Sequence, residues 1–224
     1  MGRLVEYGSH RSQVVEVDGP DDGPLCVLIH GGFWRARYDR SLMEGLVQDL
    51  TPQGWRVANV EYRRMGFRGG GGWPQTFEDV RDAIDAVGES ARTVIAVGHS
   101  AGGHLALTAA ARPGRVRLTG AVSQAGVADM AEADRLGIGG GVTRDFAHGD
   151  PDADPIRHAP TGVPTLLVHG TADDIVPASL SERYADAAGD EADLDLREGE
   201  GHFEHIDPSS GAWRRVVEWM EARR

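Results

Sequence analysis

Thr93-Val94-Ile95-Ala96-Val97-Gly98-His99-Ser100-Ala101-Gly102 is the stretch that decides the reading of this chain. An apolar, β-branched run leads into a G-x-S-x-G pentapeptide, and an alanine- and leucine-rich segment, Ala101 to Ala111, follows it. That order predicts a strand, a sharp turn and a helix, which together lift a serine hydroxyl out of a sheet. Glycines flank the serine because a larger side chain there would meet the strand or helix packed against it. The helix starting after Ser100 also directs its unpaired N–H groups toward developing negative charge.

Outward from this stretch, strands and helices alternate. Short strands are expected at residues 4–7 and 12–17, before the breaker Asp18-Gly19-Pro20-Asp21-Asp22-Gly23-Pro24. Leu25-Cys26-Val27-Leu28-Ile29 is continuously apolar, the pattern of a strand covered on both faces. A helix over Arg40–Leu50, a strand over Trp55–Val60 and a helix over Phe77–Val87 follow. Beyond the serine, strands are expected at Val116–Val122, Pro164–Val168 and Asp193–Arg197, with helices at Leu180–Ala188 and Gly211–Arg223. Such alternation implies a largely parallel sheet with helices on both faces. Residues 124–162 differ in kind: acidic, rich in glycine and proline, with one short helix expected at Met130–Leu136. Connections of that length are usually lids or binding segments. No repeat or linker divides the chain, so residues 1–224 read as one domain.

Composition excludes several functions. The net charge of −12 disfavours nucleic acid and anionic membrane, which require basic patches. No run approaches the roughly 18 apolar residues of a membrane span, and the N-terminal residues lack a signal peptide's apolar core. A cytoplasmic address is therefore expected. All 23 basic side chains are arginine, which removes lysine Schiff-base chemistry and the Walker-type phosphate loop. Cys26 is the single cysteine and falls in an apolar strand, so it reads as a small core residue. Gly69 to Gly72 lack the spacing of a dinucleotide loop and read as a mobile loop. Arg63 and Arg64 read as solvated.

A nucleophilic serine needs a base, and the base needs an orienting acid. A parallel sheet presents such groups on loops at the carboxyl ends of its strands. Ser100, then Asp173 or Asp174, then His202 fall there in chain order. His202 is preferred among nine histidines because it sits between an edge strand and the terminal helix. His30 and His99 precede glycine turns and read as hydrogen-bonders of loop backbone. His202 and His205 are three apart, but no H-E-x-x-H pattern accompanies them, so neither a metal nor another cofactor is expected.

With these pieces in place the chain resembles the α/β-hydrolase superfamily, in particular its small esterase and arylformamidase (kynurenine formamidase-like) branch. The matching segments are His30-Gly31-Gly32-Phe33-Trp34, Gly98-His99-Ser100-Ala101-Gly102, His169-Gly170-Thr171-Ala172-Asp173-Asp174-Ile175-Val176-Pro177 and Gly201-His202-Phe203. The resemblance implies the α/β-hydrolase fold, with 124–162 as a lid insertion, and a triad of Ser100, Asp173 and His202. Asp174 is the fallback acid; it points the other way along an extended segment and otherwise caps the next helix. The resemblance also implies an oxyanion hole from the N–H groups of Gly32, Phe33 and Ala101. Gly31 lets backbone approach the substrate, and Phe33 and Trp34 line its pocket. The implied activity is metal-independent hydrolysis of a small ester or activated amide, with N-formylkynurenine as a candidate substrate and a homodimer as a compatible state. The competing readings are a non-catalytic ligand-binding protein on the same scaffold, and an acyl transferase or lyase using the same triad.

Overall fold

Why the serine stands where it does follows from strand register in the computed structural model, which describes residues 2–224. The central strands are β3 (Leu25–Ile29), β4 (Arg56–Val60) and β5 (Val94–His99), all fully buried. β3 runs parallel to both neighbours, with Ile29 opposite Val60 on one side and Gly98 on the other. His30 and Gly31 therefore emerge beside His99 and Ser100. β6 (Gly120–Gln124), β7 (Thr165–Gly170) and β8 (Ala192–Arg197) continue the parallel sheet beyond β5. At the other edge β1 (Arg3–Glu6) pairs antiparallel with β2 (Val14–Asp18), and β2 antiparallel with β4. The order is β1-β2-β4-β3-β5-β6-β7-β8.

Alternation along the buried strands divides the core in two. Leu25, Val27, Ile29 and Ala96 face α2 (Gln75–Gly88) and α3 (Ala101–Ala111). Cys26, Leu28, Ile95 and Val97 face α1 (Glu44–Leu50) and α7 (Gly211–Glu221), where Trp213 and Trp219 fill the layer. Cys26 is thus the core residue the sequence suggested, and burial pushes its thiol well above the usual range. A third cluster joins Leu107 and Leu167 to Tyr184 on α6 (Ser179–Ala188). Among the described residues no helix is long and apolar enough to cross a membrane.

Three expectations change. The strand expected at Val116–Val122 begins at Gly120, because Asp85 draws the N–H groups of Arg115 and Val116 into a turn at 3.0 and 2.8 Å. The glycine-rich loop is tied down: Met65 N–H donates to Trp34 O at 2.7 Å and Gly71 N–H to Arg64 O at 3.0 Å. Arg63 and Arg64 are not solvated. Arg63 pairs with the buried carboxylate of Asp79 at 2.7 Å, and Arg64 with Glu61 at 3.0 Å. Both ion pairs bind the loop to the body of the fold, where partly buried charges need partners.

The segment after β6 contains the expected helix, α4 (Met130–Arg135), and a second that was not foreseen, α5 (Val142–Ala147). Asp129 caps α4 by accepting from Glu132 N–H at 2.8 Å. α5 has no side-chain cap and starts from Gly141 in the left-handed region, so it carries no sequence signature of its own. Tertiary contact holds it, since Phe146 is fully buried and its carbonyl accepts from Trp73 N–H at 3.1 Å.

Candidate active site

Ser100 links β5 to α3 with φ +56° and ψ −118°, a left-handed conformation that an L-residue adopts only under constraint. The constraint is visible. Its N–H donates to Gln124 O at 2.8 Å, and its carbonyl accepts the first α3 bond from His104 at 3.2 Å. Gly102 must be glycine, since a Cβ there would lie 2.0 Å from Ile29 O. Ala101 opens α3, so its N–H has no partner within the helix.

Gly31 packs directly against this turn. A Cβ on it would stand 2.8 Å from His99 O and 2.9 Å from the Ser100 Cβ. The next three residues, Gly32, Phe33 and Trp34, all have positive φ, at 106, 53 and 54°, and Arg35 N–H closes the turn onto Gly32 O at 3.0 Å. His30 anchors the loop: its Nδ1 donates to Gly31 O at 2.7 Å, and its ring stacks on Tyr62 with centroids 4.3 Å apart. The backbone-supporting role read for His30 agrees with this geometry.

Trp34 corrects the sequence reading. It is fully buried, stacked on Phe146 with centroids 4.3 Å apart and set edge-on to His104 at 5.1 Å. It joins the His30–Trp34 loop to the insert and, being fully buried, lines no open pocket. Phe33 is half-buried against Gly139 of the insert, so of the two aromatics it is the one that reaches the surface.

At the other side of Ser100, His202 Nδ1–H donates to Asp173 Oδ2 at 2.7 Å. Asp173 Oδ1 accepts the N–H groups of Ile175 and Val176 at 2.9 and 2.8 Å, so the carboxylate is fixed by its own turn. Burial alone would raise its pKa, but hydrogen bonds from His169, His202 and Val176 N–H outweigh burial and hold it well below the usual carboxylate range. Asp174 is exposed, and α6 begins without a side-chain cap, so Asp174 neither meets His202 nor caps the helix. His99 supports the base across the chain, its Nε2–H donating to His202 O at 2.9 Å. Burial, with His202 nearby, drops the His99 pKa to about 3, so it stays neutral. His205 turns away from His202 into the core and packs edge-on to His169, with centroids 6.2 Å apart.

The sequence reading assigned no role to His169 or Gln124. His169, the last residue but one of β7, is wholly buried and lies 3.3 Å from Asp173 Oδ2. Gln124 ends β6; its carbonyl takes the Ser100 N–H, and its side chain donates to His205 O at 2.6 Å. His169 stood inside the quoted acid-loop motif. Gln124 had no local signal, because its partners, Ser100 and His205, lie far from it along the chain on either side.

An eight-stranded, mostly parallel sheet with a serine at the β5–α3 turn and an Asp–His pair beyond β7 and β8 is the α/β-hydrolase fold. Within that class, the BD-FAE family model matches residues 17–132, and the chain belongs to the BD-FAE family. Among curated proteins none matches it. Solved structures repeat the fold at low identity. The propionate-bound esterase Est2 of Thermogutta terrifontis is 20% identical with a TM-score of 0.79, over 99% of this chain and 92% of that one. Esterase B of Lactobacillus rhamnosis, inhibited by a C4-C4 tributyrin phosphonate, is 17% identical with a TM-score of 0.81, over 99% and 84%. An acetyl ester-xyloside bifunctional hydrolase from Caldicellulosiruptor lactoaceticus is 17% identical with a TM-score of 0.78, over 99% and 96%.

Proposed function

We propose that this protein is a serine esterase that removes short acyl groups through an acyl-enzyme. The observation that carries the reading is the 2.7 Å Asp173–His202 hydrogen bond on the same sheet edge as the strained Ser100 turn. In this reaction Ser100 Oγ attacks the ester carbonyl while His202 Nε2 takes its proton. Asp173 holds the imidazole and stabilises its cationic form. The N–H groups of Gly32, Phe33 and Ala101 receive the developing oxyanion, each worth about 3–4 kcal/mol of transition-state stabilisation. His202 then protonates the leaving alcohol, and water, deprotonated by the same imidazole, releases the acid and restores Ser100.

A small acyl group is supported by access: Ser100 is 2% exposed and His202 6% exposed. The propionate, tributyrin phosphonate and acetyl ester in the names of the similar structures agree with this size. The reading predicts that p-nitrophenyl acetate and butyrate are turned over and the octanoate much more slowly. It also predicts that Ser100→Ala lowers kcat by about 10⁴-fold or more and abolishes fluorophosphonate labelling. A labelled, fully active Ser100→Ala protein would sink it.

Arylformamidase chemistry is the second reading, favoured by His30-Gly31-Gly32-Phe33-Trp34. Burial of Trp34 leaves only Phe33 of its two expected pocket aromatics near the surface. N-formylkynurenine belongs in the same assay, and turnover of it above the acetate ester would reverse the preference.

A further inference from the structure

His169 is a buried histidine that the reaction above does not use. It sits on β7, and each of its ring nitrogens has a defined neighbour. Nε2 lies 2.8 Å from Val176 O and 3.3 Å from Asp173 Oδ2. Both are acceptors, so Nε2 must carry the proton. Nδ1 lies 2.7 Å from the hydroxyl of Ser181, a fully buried residue on α6. With Nε2 protonated, the neutral ring accepts from the Ser181 O–H at Nδ1. One oxygen of Asp173 thus faces two imidazoles: His202 donates to it at 2.7 Å, and His169 Nε2, whose N–H is directed to Val176 O, stands 3.3 Å away.

We propose that His169, its tautomer set by the acceptors at Nε2 and its Nδ1 held by Ser181, is a positioning residue for the acid of the triad. Its Nε2–H keeps the Asp173 carboxylate turned toward His202 and draws off part of the charge that His202 would otherwise feel. The proposal rests on the triad reading above. It also gives α6 a link to the chemistry, since Ser181 lies on that helix and Val176 on the loop leading to it.

The sign of the effect can be worked out. Removing His169 takes the positive end of its Nε2–H dipole away from Asp173 Oδ2 and leaves more of the carboxylate charge to His202, which favours the imidazolium. The acid limb of the kcat/KM profile, which reports His202 in the free enzyme, then moves upward. Other groups around the pair leave that limb readable. His99, from the end of β5, and His205, from the loop after β8, are both held near 3 with burial as the leading cause. Arg197 on β8 stays charged and is paired with Asp195 and Glu200. The backbone N–H groups of Ile175 and Val176 do not titrate.

The test uses the full-length protein with p-nitrophenyl acetate. His169→Leu should lower kcat by between about ten- and a hundredfold with KM unchanged. It should raise the acid limb by about half a unit or more. His169→Gln, whose amide nitrogen can replace the Nε2 donor, should restore most of both. Ser181→Ala should shift the limb in the same direction by less, and it carries the test if the leucine variant does not fold. Wild-type kcat and an unmoved acid limb in folded His169→Leu and Ser181→Ala would overturn the proposal. Equal losses in His169→Leu and His169→Gln would also overturn it, since they mark a packing role. Failure of the triad reading looks different, because the unmutated protein would then not react with the phosphonate.

Discussion

The two flanks of Ser100 are built from different materials. On the acid–base flank, side chains hold side chains and carbonyls: Asp173, His202, His99 and His169 are connected by hydrogen bonds or close polar contacts between 2.7 and 3.3 Å. On the other flank the backbone itself sets the shape, a run of positive-φ residues from Gly32 to Trp34. That run is secured by ring packing of Trp34 on Phe146 and His104. The first flank is sensitive to which atoms are donors. The second is sensitive to volume, because the interior around it is close-packed. One flank is therefore held by polar identity and the other by apolar fit.

The largest expected effect tests the polar flank at its centre. Asp173→Asn should lower kcat for p-nitrophenyl acetate by about 10⁴-fold, because an amide favours the wrong imidazole tautomer. Asp174→Asn should leave kcat unchanged, as its side chain is exposed. Reversal of that pair in steady-state assays would move the acid to Asp174.

A smaller loss is expected from volume on the backbone flank. The added methyl of Gly31→Ala would fall 2.8 Å from His99 O and 2.9 Å from Ser100 Cβ. Displacing the loop should cost about 10- to 100-fold in kcat and about 1–3 kcal/mol in stability. Kinetics with a parallel thermal melt would check this, and unchanged kcat would mean that the loop yields without moving the reacting atoms.

The smallest effect on activity, and the most useful on stability, comes where the flanks share a residue type. His104 is buried beneath Trp34, and its Nε2–H donates to Ala153 O at 2.7 Å, joining α3 to the insert. Burial lowers its pKa from 6.5 to about 4. Between those values the unfolded chain binds a proton that the folded protein does not, so stability falls as pH falls through that window. His104→Gln, which keeps a donor for Ala153, should flatten the stability–pH slope by about 1.4 kcal/mol per pH unit within the window. Urea titrations at pH 7 and pH 5 would check it. An unchanged slope would show that His104 is protonated in the folded protein.

The contrast also explains what the sequence made legible. The β5–turn–α3 unit and the buried β3 are contiguous patterns, and both lie where the periodicity placed them. Chain order made His202 legible and left Asp173 or Asp174 as the acid, because parallel strands bring their following loops to one edge; the resemblance chose Asp173. Trp34 was misread because its covering partner, Phe146, comes from an uncapped helix in the insert. Arg63 looked solvated because the carboxylate that claims it, Asp79, lies on α2, while Arg64 pairs with Glu61 of its own segment and is covered only by the folded loop. For Trp34 and Arg63 the deciding contact is non-local, and only polar identity or aromatic size remains in the local pattern.

The bond from His99 to the carbonyl of His202 spans 103 residues. The family match ends at residue 132, so it takes in Ser100 and the glycine loop but neither Asp173 nor His202. The residues of the proposed chemistry are thus far apart in sequence, and Asp173 and His202 reach the Ser100 side only because β6, β7 and β8 extend the parallel sheet beyond β5.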